Sequence, residues 1–195
     1  MKEYLAASAV IDWDTPEVAA QARQLRAGLD DKVSITRTLF QWVRDEIRHS
    51  VDHPIEPVAC SASEVLRLGG GLCYAKSHLL AALLRASGIP AGLCYQRLSV
   101  DGQGAPFCLH GYNAVYLRAH GWYRLDPRGN KSGIDARFAL PEEKLAFSAT
   151  LPGEHNFAAI RAEPLPAVVD ALRRYRGTSE LCRHLPDAVP DSAFH

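Results

Sequence analysis

The chain has 195 residues, 47% apolar and 23% charged, a length that buries a sizeable core; a single domain over 1–195 is expected. Lysine plus arginine and aspartate plus glutamate number 22 each, so the formal net charge is zero and there is no broad field for nucleic acid or an anionic membrane; neither is expected as a partner. Five cysteines without regular spacing argue against a disulfide framework and for a reducing compartment. With no sustained apolar run near the start and no stretch long enough to span a bilayer, the expected location is cytoplasmic.

The first predicted helix opens with Thr15 as cap, Pro16 at its first position and Glu17 at its positive end. Val18, Ala22 and Leu25 form its apolar stripe, and Gly28 ends it. A second helix starts at Asp30 or Asp31 and carries Ile35, Leu39, Val43 and Ile47 on one face, flanked by Phe40 and Trp42. From Ser50 to Pro57 two X-Pro pairs bar helix. Ser61-Ala62-Ser63-Glu64 fits a capping box, so a short helix brings Val65 and Leu66 up to Gly69-Gly70-Gly71-Leu72-Cys73.

The rest of the chain is organised around that glycine loop. Leucines at helical spacing follow Cys73, and Gly88 and Pro90 stop the run. A cysteine in the first turn of a helix meets the positive end of the macrodipole, which favours thiolate. The glycines are expected to let a substrate backbone come close and to leave amide N–H groups free for a developing oxyanion.

After this helix the texture changes to aromatic and branched residues over 93–100, 107–117 and 122–125, broken by turn signals at 101–104 and at His120-Gly121. This predicts an antiparallel β meander packed on the cysteine helix, hence an α+β fold led by helices. Further on, Pro141-Glu142-Glu143 is expected to start a short helix. Pro166 should start a better one through Val169, Leu172 and Tyr175, and the chain from Pro186 is expected to be loose.

A cysteine nucleophile needs a base for its proton and a third group to fix the base's tautomer. His110, within the 107–117 strand, and Asp126, at the end of the next one, meet that need. A hairpin with the two directly opposite would be centred on Arg118, whereas the turn chemistry favours His120-Gly121; a bulge would reconcile them. Cys108, two residues before His110, should share its face. Cys73, His78, Cys108 and His110 lack the paired spacing of zinc ligands, and no metal is expected. Cys60, Cys94 and Cys182 read as idle thiols, and no role is assigned to His49, His53, His120, His155 or His184.

Three blocks arrive in order: Gly-Leu-Cys73 with its helix and Arg85-Ala-Ser-Gly-Ile-Pro90, then His110-Gly-Tyr-Asn-Ala-Val-Tyr-Leu, then Gly-Trp-Tyr-Arg-Leu-Asp126-Pro127. Together they resemble the transglutaminase-like superfamily, most strongly over residues 35–130. The resemblance implies a papain-like α+β fold with a thiol triad: Cys73 as nucleophile, His110 as general base and then acid, Asp126 as its orienter. It also implies chemistry on peptide, protein or small amide substrates with no cofactor. Two positions depart from the family pattern: Tyr112, where members often carry tryptophan, and Arg128, where threonine is common after Asp-Pro. Gln41 or Trp42, from the helix before the cysteine, is a candidate oxyanion donor. The expected function is hydrolysis or transfer of an amide through a cysteine thioester. The rivals are an arylamine N-acetyltransferase-like acyl transferase, for which no basic stretch suited to coenzyme A is evident, and a non-catalytic peptide-binding module.

Overall fold

The structure, a computed structural model, describes residues 1–188. A short 3-10 turn at Lys2–Leu5 precedes α1 (Pro16–Leu25), α2 (Lys32–Glu46), β1 (Arg48–His49), α3 (Ala62–Leu68), β2 (Gly70–Gly71) and α4 (Cys73–Ala86). The β-rich part follows as β3 (Ala91–Ser99), β4 (Phe107–Leu117), β5 (Gly121–Leu125), β6 (Arg137–Ala139), β7 (Glu142–Lys144) and β8 (His155–Asn156), with α5 (Pro166–Arg174) and α6 (Thr178–Cys182) at the end. Helices thus lead and an antiparallel sheet follows, in the order β5-β4-β3-β8, as α+β requires.

Local chemistry sets the helix boundaries. Asp31 accepts from the Ser34 amide and opens α2, and Ser61 with Glu64 forms a complete capping box on α3. Gly69 ends α3 in the left-handed region that a side chain would resist. At α1 the expected Thr15 cap is not made. Its hydroxyl donates backward to the Asp12 carbonyl at 2.8 Å instead.

α4 is the hub. Every residue from Cys73 to Arg85 is buried, so this helix has no solvated face and packs against α1, α2, α3 and the sheet. Leu79, Leu80, Leu83 and Leu84 are fully covered, each contributing roughly 1.5–3 kcal/mol of apolar burial. Each of its polar side chains finds a partner, although His78 Nε2 is left without one among the described residues. Lys76 donates to the Arg44 and Ile47 carbonyls at the end of α2, His78 to the Cys60 carbonyl, and Arg85 to the Ala91 and Ala6 carbonyls.

The sheet divides two apolar layers. Leu109, Val115, Leu117, Tyr123 and Leu125 join the leucines of α4 in the main core. Cys94, Tyr112 and Ala114 lie on the opposite face under Trp122, Leu145 and Ile160. The Asn113 amide bridges to the Ser77 carbonyl at 2.9 Å and ties β4 to the helix.

One expectation about the last third fails, and a second is not met as far as the chain is described. Residues 142–144 form a strand paired with β6, because the Tyr123 hydroxyl takes the Ala139 amide and donates to the Glu142 carbonyl, pinning the hairpin to β5. The chain from Pro186 is tied down as far as it is described. The Pro186 carbonyl accepts from Leu109 N at 2.8 Å, and Asp187 forms a two-pronged ion pair with Arg97. The expectation for the remaining residues, 189–195, lies outside the described part. α5 forms where Pro166 predicts it, burying Val168, Ala171 and Leu172.

Candidate active site

Cys73 is the first residue of α4, and no side chain caps that helix, so its first-turn N–H groups and positive dipole end face the thiol unopposed. The glycine loop before it does something other than admit substrate. β2 pairs in parallel with β1, Gly70 across from Arg48 and Gly71 across from His49, and the Gly69 and Gly71 carbonyls accept from the Arg48 and Ser50 amides. A Cβ at Gly70 would overlap Ile55 at 2.0 Å, and one at Gly71 would press on Ala75 at 2.9 Å. The close approach these glycines permit is to the chain's own Ile55 and Ala75 side chains and, at Gly70, to the Arg48 carbonyl.

His110 sits on the face of β4 turned away from α4, since Leu109 on its neighbouring face joins the α4 core. It reaches Cys73 because of Gly111. A Cβ there would come within 2.9 Å of the Tyr74 ring and 3.2 Å of the Tyr74 Cα, so the first turn of α4 lies directly on the strand. That contact sets Cys73 and His110, each one residue earlier, side by side.

Asp126 follows β5. The register Asn113↔Leu125 extends Asp126 to a place across from Tyr112, so it meets His110 on the diagonal rather than head-on. No bulge is needed: the hairpin is centred between Arg118 and His120, and the pairing from 113 to 117 is regular. The His110 Nε2 donates to Asp126 Oδ2 at 2.8 Å. The fully buried Asp126 carboxylate also accepts from Ala146 N at 3.1 Å and Arg128 N at 3.0 Å. Three donors hold it oriented.

Burial alone would lower the His110 pKa. The charges of Asp126 and Cys73 and hydrogen bonds to both outweigh it and raise it to about 10. With Nε2 engaged by Asp126, Nδ1 is left for the sulfur. The ring therefore lies between the Asp126 carboxyl and the Cys73 sulfur, and its raised pKa favours the imidazolium. Phe147 closes edge-on over the ring at 5.0 Å, and Tyr112 stacks beside it.

Cys73, His110 and Phe147 line a cavity of about 780 Å³ with apolar walls from Leu72, Leu98, Leu145 and Leu185. Cys108 lines it with His110, as their spacing on β4 predicts, and Cys182 lines it too. Burial pushes the Cys108 thiol up to about 12 and raises that of Cys182, leaving both as thiols at neutral pH. Gln41 and Trp42 are not brought to the cavity: Gln41 is exposed on α2, and Trp42 packs against the core.

Several residues of the site had no role assigned from the sequence. His49, from β1, and Arg128 line the cavity, and the Arg128 guanidinium grips Asp52 with both terminal nitrogens while Lys131 joins from outside. Those bonds hold the Asp52 carboxyl well below the usual carboxylate range, against the cost of its partial burial. Lys76 lies behind, where burial foremost lowers its pKa to about 7. Gly111 carried a readable cue, a glycine inside a strand pattern that marks a close backbone approach, and Arg128 stood out as a departure from the family pattern.

The family model of the transglutaminase-like superfamily matches residues 19–127, more than half of the chain, and the chain belongs to that superfamily. Among solved structures it is similar to the "Putative Cysteine Protease" of Cytophaga hutchinsonii, at 19% identity and a TM-score of 0.53. That match covers 64% of this chain and 40% of that one. The periplasmic domain of TgpA from Pseudomonas aeruginosa is similar at 21% identity and a TM-score of 0.46, covering 64% of this chain and 45% of that domain. The chain thus matches less than half the length of these structures. No curated protein matches it. Among the described residues no helix is long and apolar enough to cross a membrane.

Proposed function

We propose that this chain is a thiol-dependent acyl-group enzyme in which Cys73 attacks an amide or related acyl carbonyl on a peptide, protein or small amide substrate. The observation that carries the reading is the convergence of Cys73 and His110 on the wall of a cavity at the uncapped start of α4, with Asp126 buried behind the ring. The sulfur electron pair forms the S–C bond while the carbonyl π electrons move to oxygen. The tetrahedral intermediate collapses to a thioester, and the His110 imidazolium gives its proton to the departing amine. Water, or an amine in a transfer reaction, then attacks the thioester as His110 takes the proton back. Asp126 keeps Nε2–H engaged, so Nδ1 does this work throughout.

The test is alkylation of Cys73 by iodoacetamide across pH, followed by mass. An imidazolium-paired thiolate should react fast in mildly acidic buffer, and His110→Ala should slow it there. If Cys73 reacts no faster than free cysteine at neutral pH, the reading is wrong. A screen of peptides and amides with Cys73→Ala as control then separates hydrolysis from transfer, and both from a binding module that turns over nothing.

A further inference from the structure

We propose that His49 is a catalytic residue of the same site, a neutral imidazole whose Nε2–H, together with the Cys73 backbone N–H, receives the oxyanion formed when a carbonyl is attacked. This rests on the thiol-enzyme reading above and adds the group that the attack on a carbonyl requires. Acyl transfer builds negative charge on the carbonyl oxygen, and one backbone donor at a helix tip is a partial answer to it.

The placement comes from the β1–β2 pair. His49 is in register with Gly71, two residues before Cys73, so its strand runs alongside the loop that delivers the nucleophile. The chain then turns sharply, with the Asp52 and His53 amides both bonding back to the His49 carbonyl at 2.9 Å. That turn brings the Val51 amide to the ring, where it donates to Nδ1 at 3.3 Å. A backbone N–H can only donate, so Nδ1 must accept and the proton of a neutral ring must sit on Nε2.

His49 is 7% exposed, and that Nε2 has no protein acceptor among the described residues. It is also not one of the sealed, unpartnered polar atoms, and the ring lines the cavity that Cys73 and His110 share. A buried donor without a protein partner, on a ring that lines the nucleophile's cavity as well as a smaller one beside Lys76 and Arg128, is what an oxyanion site needs before substrate arrives.

The surroundings keep the ring neutral and suit an anion. Burial first, and then Arg128 and Lys76, hold the His49 pKa well below its ordinary value; Asp52 opposes them and His110 adds to them. His49 is thereby excluded as a second base. It differs from Gln41 and Trp42, the donors the sequence suggested, in lining the cavity.

Two reagents separate this role from the thiol's own reactivity. Iodoacetamide is displaced at a saturated carbon and creates no oxyanion. With 4-nitrophenyl acetate, the sulfur attacks a carbonyl, the π electrons move to oxygen, and collapse releases 4-nitrophenolate and leaves acetyl-Cys73. His49→Leu should leave alkylation unchanged and slow acylation on the order of 100-fold, the usual cost of losing one oxyanion donor. His49→Gln, which keeps a neutral side-chain N–H, should recover part of that loss, with thermal melting of both variants reporting that they are folded. Acylation and alkylation falling together, acylation unaffected in His49→Leu, or Gln no better than Leu would each overturn the proposal. A parent protein inert to both reagents would overturn the nucleophile reading itself, a result distinguishable because it needs no His49 variant.

Discussion

The two walls that meet at Cys73 each carry a buried histidine, and they treat it in opposite ways. On the β4–β5 wall, Asp126 lies 2.8 Å from His110 and, with Cys73, raises its pKa to about 10 despite burial. On the β1–β2 wall, burial and the nearby Arg128 and Lys76 drive His49 well below its ordinary value. The two rings share one cavity and are buried to a similar degree, at 5% and 7% exposure. Burial pushes both rings toward the neutral form; Asp126 and Cys73 overcome it at His110, whereas Arg128 and Lys76 reinforce it at His49. In the proposed function one wall holds and delivers a proton, and in the further proposal the other donates a hydrogen bond without giving its proton up.

The sharpest way to break the contrast is Asp126→Asn, which removes the charge and keeps the shape. His110 should lose the partner that holds its proton, and alkylation of Cys73 near pH 6 should fall by roughly 100-fold or more. A pH profile of the alkylation rate measures this; a profile unchanged from the parent's would show that Asp126 does not set the ring's charge.

Gly111→Ala attacks the geometry instead of the charge. The new methyl meets Tyr74 at 2.9 Å, so α4 must shift off β4. The expected cost is about 1–3 kcal/mol of stability, as for other overpacked sites. Alkylation should slow as Cys73 and His110 part, while His49, on the other wall, keeps its place. Denaturant melts and the same rate assay read the two effects separately.

The walls should also leave opposite marks on stability against pH. An unfolded histidine titrates near 6.5. His110 keeps its proton to higher pH in the folded chain, so its contribution is full below about 6.5 and is lost as pH rises toward about 10. His49 refuses a proton that the unfolded chain accepts, so its contribution is present above about 6.5 and is lost as pH falls below it. Against the parent, His110→Gln should melt lower in acid and His49→Gln higher, with both differences closing as pH rises, because a neutral Gln stands in for the neutral ring. Differences of the same sign in acid would remove the distinction.

The smallest effect belongs to Cys108, which shares the cavity but not the chemistry. With its thiol at about 12, Cys108→Ser should leave the alkylation rate of Cys73 unchanged. Limiting iodoacetamide at neutral pH should label Cys73 ahead of Cys108, as peptide mass mapping would show.

Much of this arrangement could be read from the chain, because much of it is local. Asp31 and the Ser61–Glu64 box announce their helices through bonds made within four residues, and the leucines after Cys73 mark α4 by spacing alone. The three long strands fall within two residues of their predicted limits, since alternation and turn chemistry need no distant partner. The order of Cys73, His110 and Asp126 along the chain, and the types of residue they are, also belong to the sequence.

What the sequence left open depends on which segments meet. Whether His110 faces Asp126 directly or on the diagonal is a matter of register, settled by pairing over residues 113–117. Residues 142–144 became a strand because the Tyr123 hydroxyl binds the hairpin at two points, overriding a local pattern that suggested helix. His49 gave no signal at all: its tautomer comes from a turn, and its place beside Cys73 from pairing with Gly71. Caps and periodicity are written in neighbouring residues, whereas the charge of a buried ring is set by partners that only the folded chain brings near.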